Sequence, residues 1–181
     1  DRFVNSFIFY LLSFFFYFFV RFNKWQFSLG AVISLFHDAL IVLGVYSLFY
    51  KVMPFNMEIN QDFIAAILTV IGYSINDTVI IFDRIREYIT EKKSKTLHGL
   101  FDDAISSTLG RTFNTTFSTV IVLVVIFIFG GENLRGFIFA LLVGIGFGAY
   151  SSIFIAAAIA YDTFKGKKVE KELTSDSSTD A

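Results

Sequence analysis

The chain has 181 residues, and 55% of them are hydrophobic, including 25 Phe, which gives a mean hydropathy of +0.64. Such a composition excludes an ordinary soluble domain, and the lack of Cys excludes disulfide bonds. The formal net charge of −1 hides a strong segregation of charges along the chain, and it gives no indication of a nucleic-acid partner.

Five apolar stretches are each long enough to cross a bilayer, because about 20 helical residues match a hydrocarbon core about 30 Å thick. They cover residues 3–20, 27–50, 63–82, 113–129 and 137–161. The first stretch follows Arg2, as in a signal peptide, but its length and the lack of a small-residue cleavage site favour a span. The sequence predicts an all-α fold, a polytopic membrane bundle of five transmembrane helices in a transmembrane domain over residues 1–170.

The second predicted span carries His37 and Asp38 about ten residues from either end, at membrane depth. Two neighbouring titratable groups are costly there, so they need polar partners. A His beside an acid can satisfy itself locally, and the sequence indicates no definite third partner. We therefore favour a structural, accessory role for this pair over a functional one.

The third predicted span contains a carboxylate, Asp77, which costs about 3 kcal/mol in hydrocarbon unless it faces protein or water. Four polar residues surround it in the sequence, namely Tyr73, Ser74, Asn76 and Thr78. In one interpretation Asp77 binds and releases a proton, balanced between desolvation and a nearby cation such as Arg111. In the other, Asp77 and its neighbours form a static hydrogen-bonded cluster that fixes helix register.

Residues 97–110 follow a long charged connection and have an amphipathic pattern. The residues that fall at helical spacing on one face are Leu97, Leu100, Phe101, Ala104, Ile105, Thr108 and Leu109. The pattern predicts an interfacial helix at the cytoplasmic surface. Two alternatives for it remain open, either a cover over the cytoplasmic ends of the spans or a binding surface for a partner.

The fourth predicted span begins next to Arg111, which is followed by the polar run TFNTTFST. A long basic side chain at this position either snorkels to the cytoplasmic surface or reaches inward. Position alone favours neither orientation of the Arg111 side chain.

The fifth predicted span has a small residue at every fourth position. This ridge comprises Gly136, Ala140, Gly144, Gly148, Ser152, Ala156 and Ala160. Small residues allow helix backbones to approach closely in lipid, so the ridge predicts a helix at the centre of the bundle. A tight helix pair alone does not require a transport role.

Basic residues mark one side of the membrane. Twelve of the 15 Lys and Arg residues lie after the first span, after the third span and in the tail, and the positive-inside rule places these connections and the carboxyl terminus in the cytoplasm. Asp1 would then lie outside, so we expect an upstream helix and a periplasmic segment that this chain lacks. Residues 171–181 are polar and predict a disordered cytoplasmic tail.

Four segments of the chain resemble one family. The segment GYSINDTVIIFDRIRE covers residues 72–87, and VRFNKWQFSLGAVISLFHD, LGRTFNTT and FGGENLRGFIFALLVGIGFGAYSSIFIA occur at the second, fourth and fifth spans. These segments resemble the SecF-type protein-export membrane proteins of the SecD/SecF family, within the resistance-nodulation-division superfamily. A SecF-like carboxyl-terminal part of a fused SecDF chain would show the same resemblance.

The resemblance implies a unit of six helices with a large external domain between the first two. This chain would then supply helices two to six. It also implies that Asp77 and Arg111 carry proton passage and that His37 and Asp38 are accessory. The charged end of the motif would form a cytoplasmic extension of the helix, with Asp83 paired to Arg86 or Glu87 paired to Arg84.

The function implied is a subunit of the bacterial Sec translocase accessory complex, which uses the proton motive force to promote preprotein export across the inner membrane. The coupling ion would be a proton, with no other cofactor. The partners implied are SecD, separate or fused, the SecYEG translocon, accessory membrane proteins, preprotein and membrane lipid, and no nucleic acid.

Two alternatives are another proton-driven exporter of the same superfamily and a non-transporting scaffold assembled through the small-residue ridge. Enzymatic chemistry is not expected, because the sequence has no Ser/His/Asp order, phosphate loop or metal-ligand cluster.

Overall fold

The computed structural model describes residues 2–22, 24–91 and 96–165, so the predicted tail at 171–181 lies outside the described residues. Within these ranges every regular element is helical, which confirms the all-α prediction. The elements are α1 Arg2–Phe22, α2 Trp25–Phe49, α3 Gln61–Thr90, α4 Leu97–Phe129, α5 Glu132–Ser151, a π-helical turn Ser152–Ala156 and α6 Ala157–Lys165.

Four helical segments are long and apolar enough to cross a membrane. They are α2, α3, α4 and the continuous segment Glu132–Phe164, which runs from α5 through the π-helical turn into α6. In α1 the apolar segment found among the described residues is Leu12–Phe22, which is shorter than a span. The protein is therefore a polytopic membrane helix bundle, and the first of the five predicted spans, at residues 3–20, stays a prediction.

Two helices extend well beyond the predicted spans. The prediction ended the third span at residue 82, but α3 continues to Thr90. In α4 the predicted amphipathic segment at 97–110 is continuous with the fourth span. The expectation of a separate interfacial helix was therefore wrong, because α4 starts at the N-cap Thr96, whose hydroxyl accepts the Gly99 N–H at 3.1 Å, and runs to Phe129 without a break.

The amino-terminal part of α4 lies against the bundle. Leu97, Phe101 and Ala104 are buried in one apolar cluster with residues of α3 and α6, whereas Leu109 is exposed. This arrangement matches the alternative in which the segment covers the ends of the other helices.

The buried apolar side chains form two clusters at opposite ends of the bundle. The first apolar cluster is built around Phe18, Phe22, Phe27, Phe82, Phe101 and Phe164. The second apolar cluster is built around Val42, Tyr46, Met57, Phe63, Val70, Leu141 and Ile145. Buried polar side chains lie between the two clusters, and we call this level the polar layer; its members are Ser34, Asp38, Ser74, Asp77, Thr78, Ser151 and Ser152.

All seven residues of the small-residue ridge are buried inside the bundle. The helices α3 and α5 run side by side in the same direction, since Gly144 lies against Val70 and Gly148 lies against Ser74. Further along, Gly30 of α2 lies against the carbonyl oxygen of Ala156, where a Cβ would come within 2.6 Å. The ridge is therefore the surface on which α2 and α3 pack.

Candidate functional site

The polar layer joins α2, α3, α5 and the π-helical turn between two apolar clusters. A polar group removed from water is costly unless it is hydrogen-bonded, and in a membrane bundle the alternative environment is hydrocarbon. The pairing of each side chain in this layer therefore indicates whether it is structural or available for chemistry.

Asp38 is fully paired. Its side chain is 0% exposed, its Oδ2 accepts a hydrogen bond from Ser74 Oγ at 2.7 Å, and its Oδ1 lies 3.4 Å from Nδ1 of the partly exposed His37. The sequence indicated no third partner for this pair, and that interpretation was wrong. Ser74 supplies it from another helix, 36 residues away in the chain, where a local pattern gives no signal.

Hydroxyl groups tie the π-helical turn to α3. Ser152 Oγ donates to the Ser74 carbonyl oxygen at 3.3 Å and lies 2.9 Å from Thr78 Oγ1. The neighbouring Ser151 Oγ lies 3.3 Å from Ser34 Oγ of α2. Single π-helical turns inside α-helices often occur at functional sites, and this one begins at the level of the polar layer.

Asp77 differs from Asp38 in its hydrogen bonding. Its side chain is only 2% exposed, yet Oδ2 is buried and has no hydrogen-bond partner among the described residues. Arg111 is exposed and attracts the Asp77 carboxylate electrostatically, but no ion pair joins the two side chains in the described part of the chain. The site therefore holds a carboxylate that is shielded from solvent and not committed to a fixed partner.

Two hydrogen bonds set the register of the antiparallel helices α3 and α4. Tyr73 OH lies 3.4 Å from Thr119 Oγ1, and Arg84 Nε donates to Ser107 Oγ at 3.1 Å. Between these two contacts, Asp77 is level with residues 114–115 of α4, and Arg111 is level with residues 80–81 of α3. Arg111 therefore lies about one helical turn, roughly 5 Å, from Asp77 along the bundle, on the side of the first apolar cluster.

The other predicted polar neighbours of Asp77 divide between the helices. Thr78 is buried against Ser152, while Tyr73 is partly buried against α4. Asn76 is exposed, so it lies on a different face of α3 from the buried Asp77. The physical reason is helical geometry, since adjacent residues point about 100° apart around a helix.

The charged end of α3 makes contacts to two other helices. Arg84 donates to Glu87 Oε2 at 2.7 Å, so the predicted pair of these residues is confirmed. Asp83 accepts from Arg21 of α1 at 2.8 Å, so of the two predicted alternatives the pair of Arg84 and Glu87 is the one that forms. Within the described ranges no group of three His, Asp or Glu side chains could hold a metal ion.

Comparisons with known proteins agree on one family. The family model "Protein export membrane protein SecD/SecF, C-terminal" matches residues 2–166. The chain is 53% identical to the protein translocase subunit SecF of Rhodothermus marinus over 84% of this chain and 49% of that protein. It is 44% identical to the protein translocase subunit SecDF of Brucella abortus over 90% of this chain and 22% of that protein.

A solved structure shows the same similarity. Crystalline SecDF from Thermus thermophilus, described as a translocon-associated membrane protein, aligns with a TM-score of 0.73 at 35% identity, over 84% of this chain and 20% of that chain. The chain thus spans about half the length of the similar SecF subunit and about a fifth of the SecDF chains.

Proposed function

Since this chain belongs to the SecD/SecF family of protein-export membrane proteins, we propose that it forms the helix bundle of a SecF-type subunit of the bacterial Sec translocase. In this function the proton motive force promotes export of preproteins across the cytoplasmic membrane. The bundle supplies the proton-coupling step and is not an enzyme.

One observation carries the proposal: Asp77 is buried in the polar layer with an unpaired carboxylate oxygen. A carboxylate whose oxygens all accepted fixed hydrogen bonds would be held in its ionised form. Arg111, about one turn away, attracts the ionised form of Asp77 and has no such attraction for the protonated form. Protonation of Asp77 from outside therefore weakens the attraction between α3 and α4, and release of the proton to the cytoplasm restores it.

The energy available fits a small conformational change. One charge that crosses 100 mV provides about 2.3 kcal/mol, which changes a two-state equilibrium about 50-fold. A single proton therefore biases the repacking of a helix contact, and the pH gradient adds to this bias.

The partners follow from the family and remain part of the proposal. The fused SecDF of Brucella abortus supports a SecD unit as direct partner, and the translocon-associated protein of Thermus thermophilus supports the SecYEG translocon. Preprotein and membrane lipid complete the set. The distribution of basic residues supports placement in the bacterial inner membrane with the carboxyl terminus in the cytoplasm.

The scaffold alternative has less support. It required the small-residue ridge to assemble a complex, but all seven ridge residues are buried against other helices of the same chain. Another exporter of the same superfamily would also use a buried carboxylate, but the identity to translocase subunits favours protein export.

Export of a secreted reporter tests the proposal in the full-length subunit with its partner. The Asp77→Asn variant should lose the part of export that depends on the proton gradient, while export without the gradient stays the same. Asp103→Asn is a matched control, because it makes the same change at an exposed position of α4. Unchanged gradient stimulation in a correctly assembled Asp77→Asn variant would overturn the proposal.

A further inference from the structure

A cavity of about 160 Å³ lies at the end of the bundle beyond the second apolar cluster, which contributes Tyr46 and Phe63 to its walls. The other walls come from the connection between α2 and α3 and from the first turns of α3 and α5. The polar residues that line it are Tyr46, Asn56, Glu58, Asn60, Asp62 and Asn133. The proton-coupling step at Asp77 uses none of them.

The Tyr46 hydroxyl lies at this cavity without a hydrogen-bond partner in the part of the chain that the structure describes. The residue is only 3% exposed, and its ring packs on the Phe63 ring at a centroid distance of 4.3 Å. A buried tyrosine hydroxyl normally has a partner. The ring is therefore held in place while its polar end is left for a group from outside the chain.

A second oxygen converges on the same point. A Cβ at Gly136 would lie 2.9 Å from the Tyr46 hydroxyl and 2.5 Å from the main-chain carbonyl oxygen of Asn56. Any side chain larger than that of glycine would therefore press on both oxygens. Gly136 thus keeps the wall of the cavity open between them.

The cavity is lined by oxygen acceptors, and no Lys or Arg lies among its described walls. Glu58 and Asp62 each contribute a negative charge, and within the described ranges no ion pair joins either of them to a basic side chain. The Asp62 carboxylate acts electrostatically on the Tyr46 hydroxyl, so this charge is close to the converging oxygens.

The ends of the helices explain only part of this charge. Asp62 lies in the first turn of α3, where the helix N-terminus stabilises an acid. Glu58 precedes the helix, so the same explanation does not apply to it. The N-termini of α3 and α5 contribute roughly +0.5 charge each, which is less in total than the charge of the two carboxylates. The cavity is therefore negative and favours a cation.

We propose that this cavity binds Ca²⁺, with oxygens of Glu58, Asp62, Asn56 and Asn133 as ligands and the Tyr46 hydroxyl holding a bound water. Carboxylate, amide and main-chain carbonyl oxygens are the ligands that Ca²⁺ takes, in flexible arrangements that water completes. A water occupies about 30 Å³, so the cavity has room for the ion and several waters. Mg²⁺ fits less well, because it requires near-ideal octahedral geometry.

The site is weak by its composition. No group of three acids or His among the described residues could hold a metal ion, so neutral oxygens and water complete the shell around two carboxylates. The dissociation constant should be on the order of 0.1–1 mM, as in extracellular calcium modules. The bound ion joins the connection between α2 and α3 to the first turn of α5. This inference goes beyond the proposed function and does not depend on Asp77.

Competition with Tb³⁺ tests the site in the full-length subunit with its partner in detergent micelles, because tyrosine rings excite the luminescence of nearby Tb³⁺. Asp62→Asn and Glu132→Gln are a matched pair. Each removes one exposed negative charge from the first turn of a helix, but of the two residues only Asp62 lines the cavity. Sites elsewhere in the subunit contribute equally to all variants, so the difference between variants reports this cavity.

Asp62→Asn and Glu58→Gln should each raise the Ca²⁺ concentration that displaces Tb³⁺ by at least about 10-fold, whereas Glu132→Gln should leave it unchanged. The same Ca²⁺ concentration in Asp62→Asn and in the parent protein would overturn the site. An equal increase in Asp62→Asn and Glu132→Gln would also overturn it, because it would show a general effect of surface charge.

Tyr46→Phe tests the hydroxyl separately, because it keeps the ring that packs on Phe63. A ligand that binds only the folded state raises the unfolding temperature, so the measurement is the increase that Ca²⁺ produces. This increase should be smaller in Tyr46→Phe than in the parent protein. It should be unchanged in Tyr150→Phe, which alters an exposed tyrosine away from the cavity. A full increase in Tyr46→Phe would contradict the role of the hydroxyl in the site.

Discussion

Replacing Gly144 by Ala should destabilise the bundle, because this glycine of α5 lies directly against Val70 of α3. A Cβ at this position would overlap the Val70 side chain and would lie 2.6 Å from Cγ1 and 2.9 Å from Cβ. Carbon atoms in normal contact are about 3.5–4.0 Å apart, so the helices must separate by roughly 1 Å. Overpacking of this kind costs about 1–3 kcal/mol.

Gly146 provides the matched control, because a Cβ there meets no atom within 4 Å. Both substitutions gain the same helix propensity, up to about 1 kcal/mol, so the difference between the two variants isolates the steric effect. We expect Gly144→Ala to be less stable than Gly146→Ala by about 1–3 kcal/mol, which is about 5-fold to 150-fold in the folding equilibrium.

The assay is unfolding of the full-length subunit in mixed micelles, followed by loss of helical signal. A double variant that adds Val70→Ala should recover part of the stability lost by Gly144→Ala, since the new methyl then has room. Equal stability of the Gly144 and Gly146 variants would refute the close approach of α3 and α5, and with it the packing role of the ridge.

Two further predictions concern the paired groups. Asp38→Ala should destabilise the bundle by about 1–3 kcal/mol, because the buried Ser74 hydroxyl loses its acceptor. Asp38→Asn keeps an acceptor and should cost less, so equal losses of stability in thermal unfolding of the two variants would contradict this assignment. The side chains of Arg21 and Asp83 are each about 40% exposed, so a double-mutant cycle with Ala should give a coupling free energy below about 1 kcal/mol that falls with added salt. A larger coupling that does not change with salt would show that the contact is shielded from solvent.

The helices were the most predictable part of the protein. Long apolar stretches must be helical in lipid, because the backbone has to satisfy its own hydrogen bonds there. The ends of α3 and α4 were less predictable. The apolar composition ends at the membrane surface, whereas the hydrogen-bonded helical backbone continues beyond it. Thr96 as an N-cap was the available signal for the true start of α4.

The candidate site was predicted in part. A carboxylate within an apolar stretch identified Asp77 because its cost is independent of the fold. The partners of such a group come from other helices, and helix rotation decides which neighbours join it. That is why the sequence did not reveal the contact of Ser74 with Asp38 or the exposure of Asn76.

The small-residue ridge has a mechanical consequence. Within α5 each step of four residues overshoots a full helical turn by about 40°, so the three steps from Gly136 to Gly148 wind roughly 120° around the helix axis. The ridge stays buried because its neighbour changes along the helix, from Tyr46 of α2 at Gly136 to Val70 of α3 at Gly144 and back to Gly30 of α2 at Ala156.

The helix α5 and its continuation are therefore packed between α2 and α3, and a rotation or a shift along the helix axis would break contacts to both. Against α4 they already leave a cleft of about 320 Å³. A displacement of α4 across this cleft would leave the contacts of α5 with α2 and α3 in place.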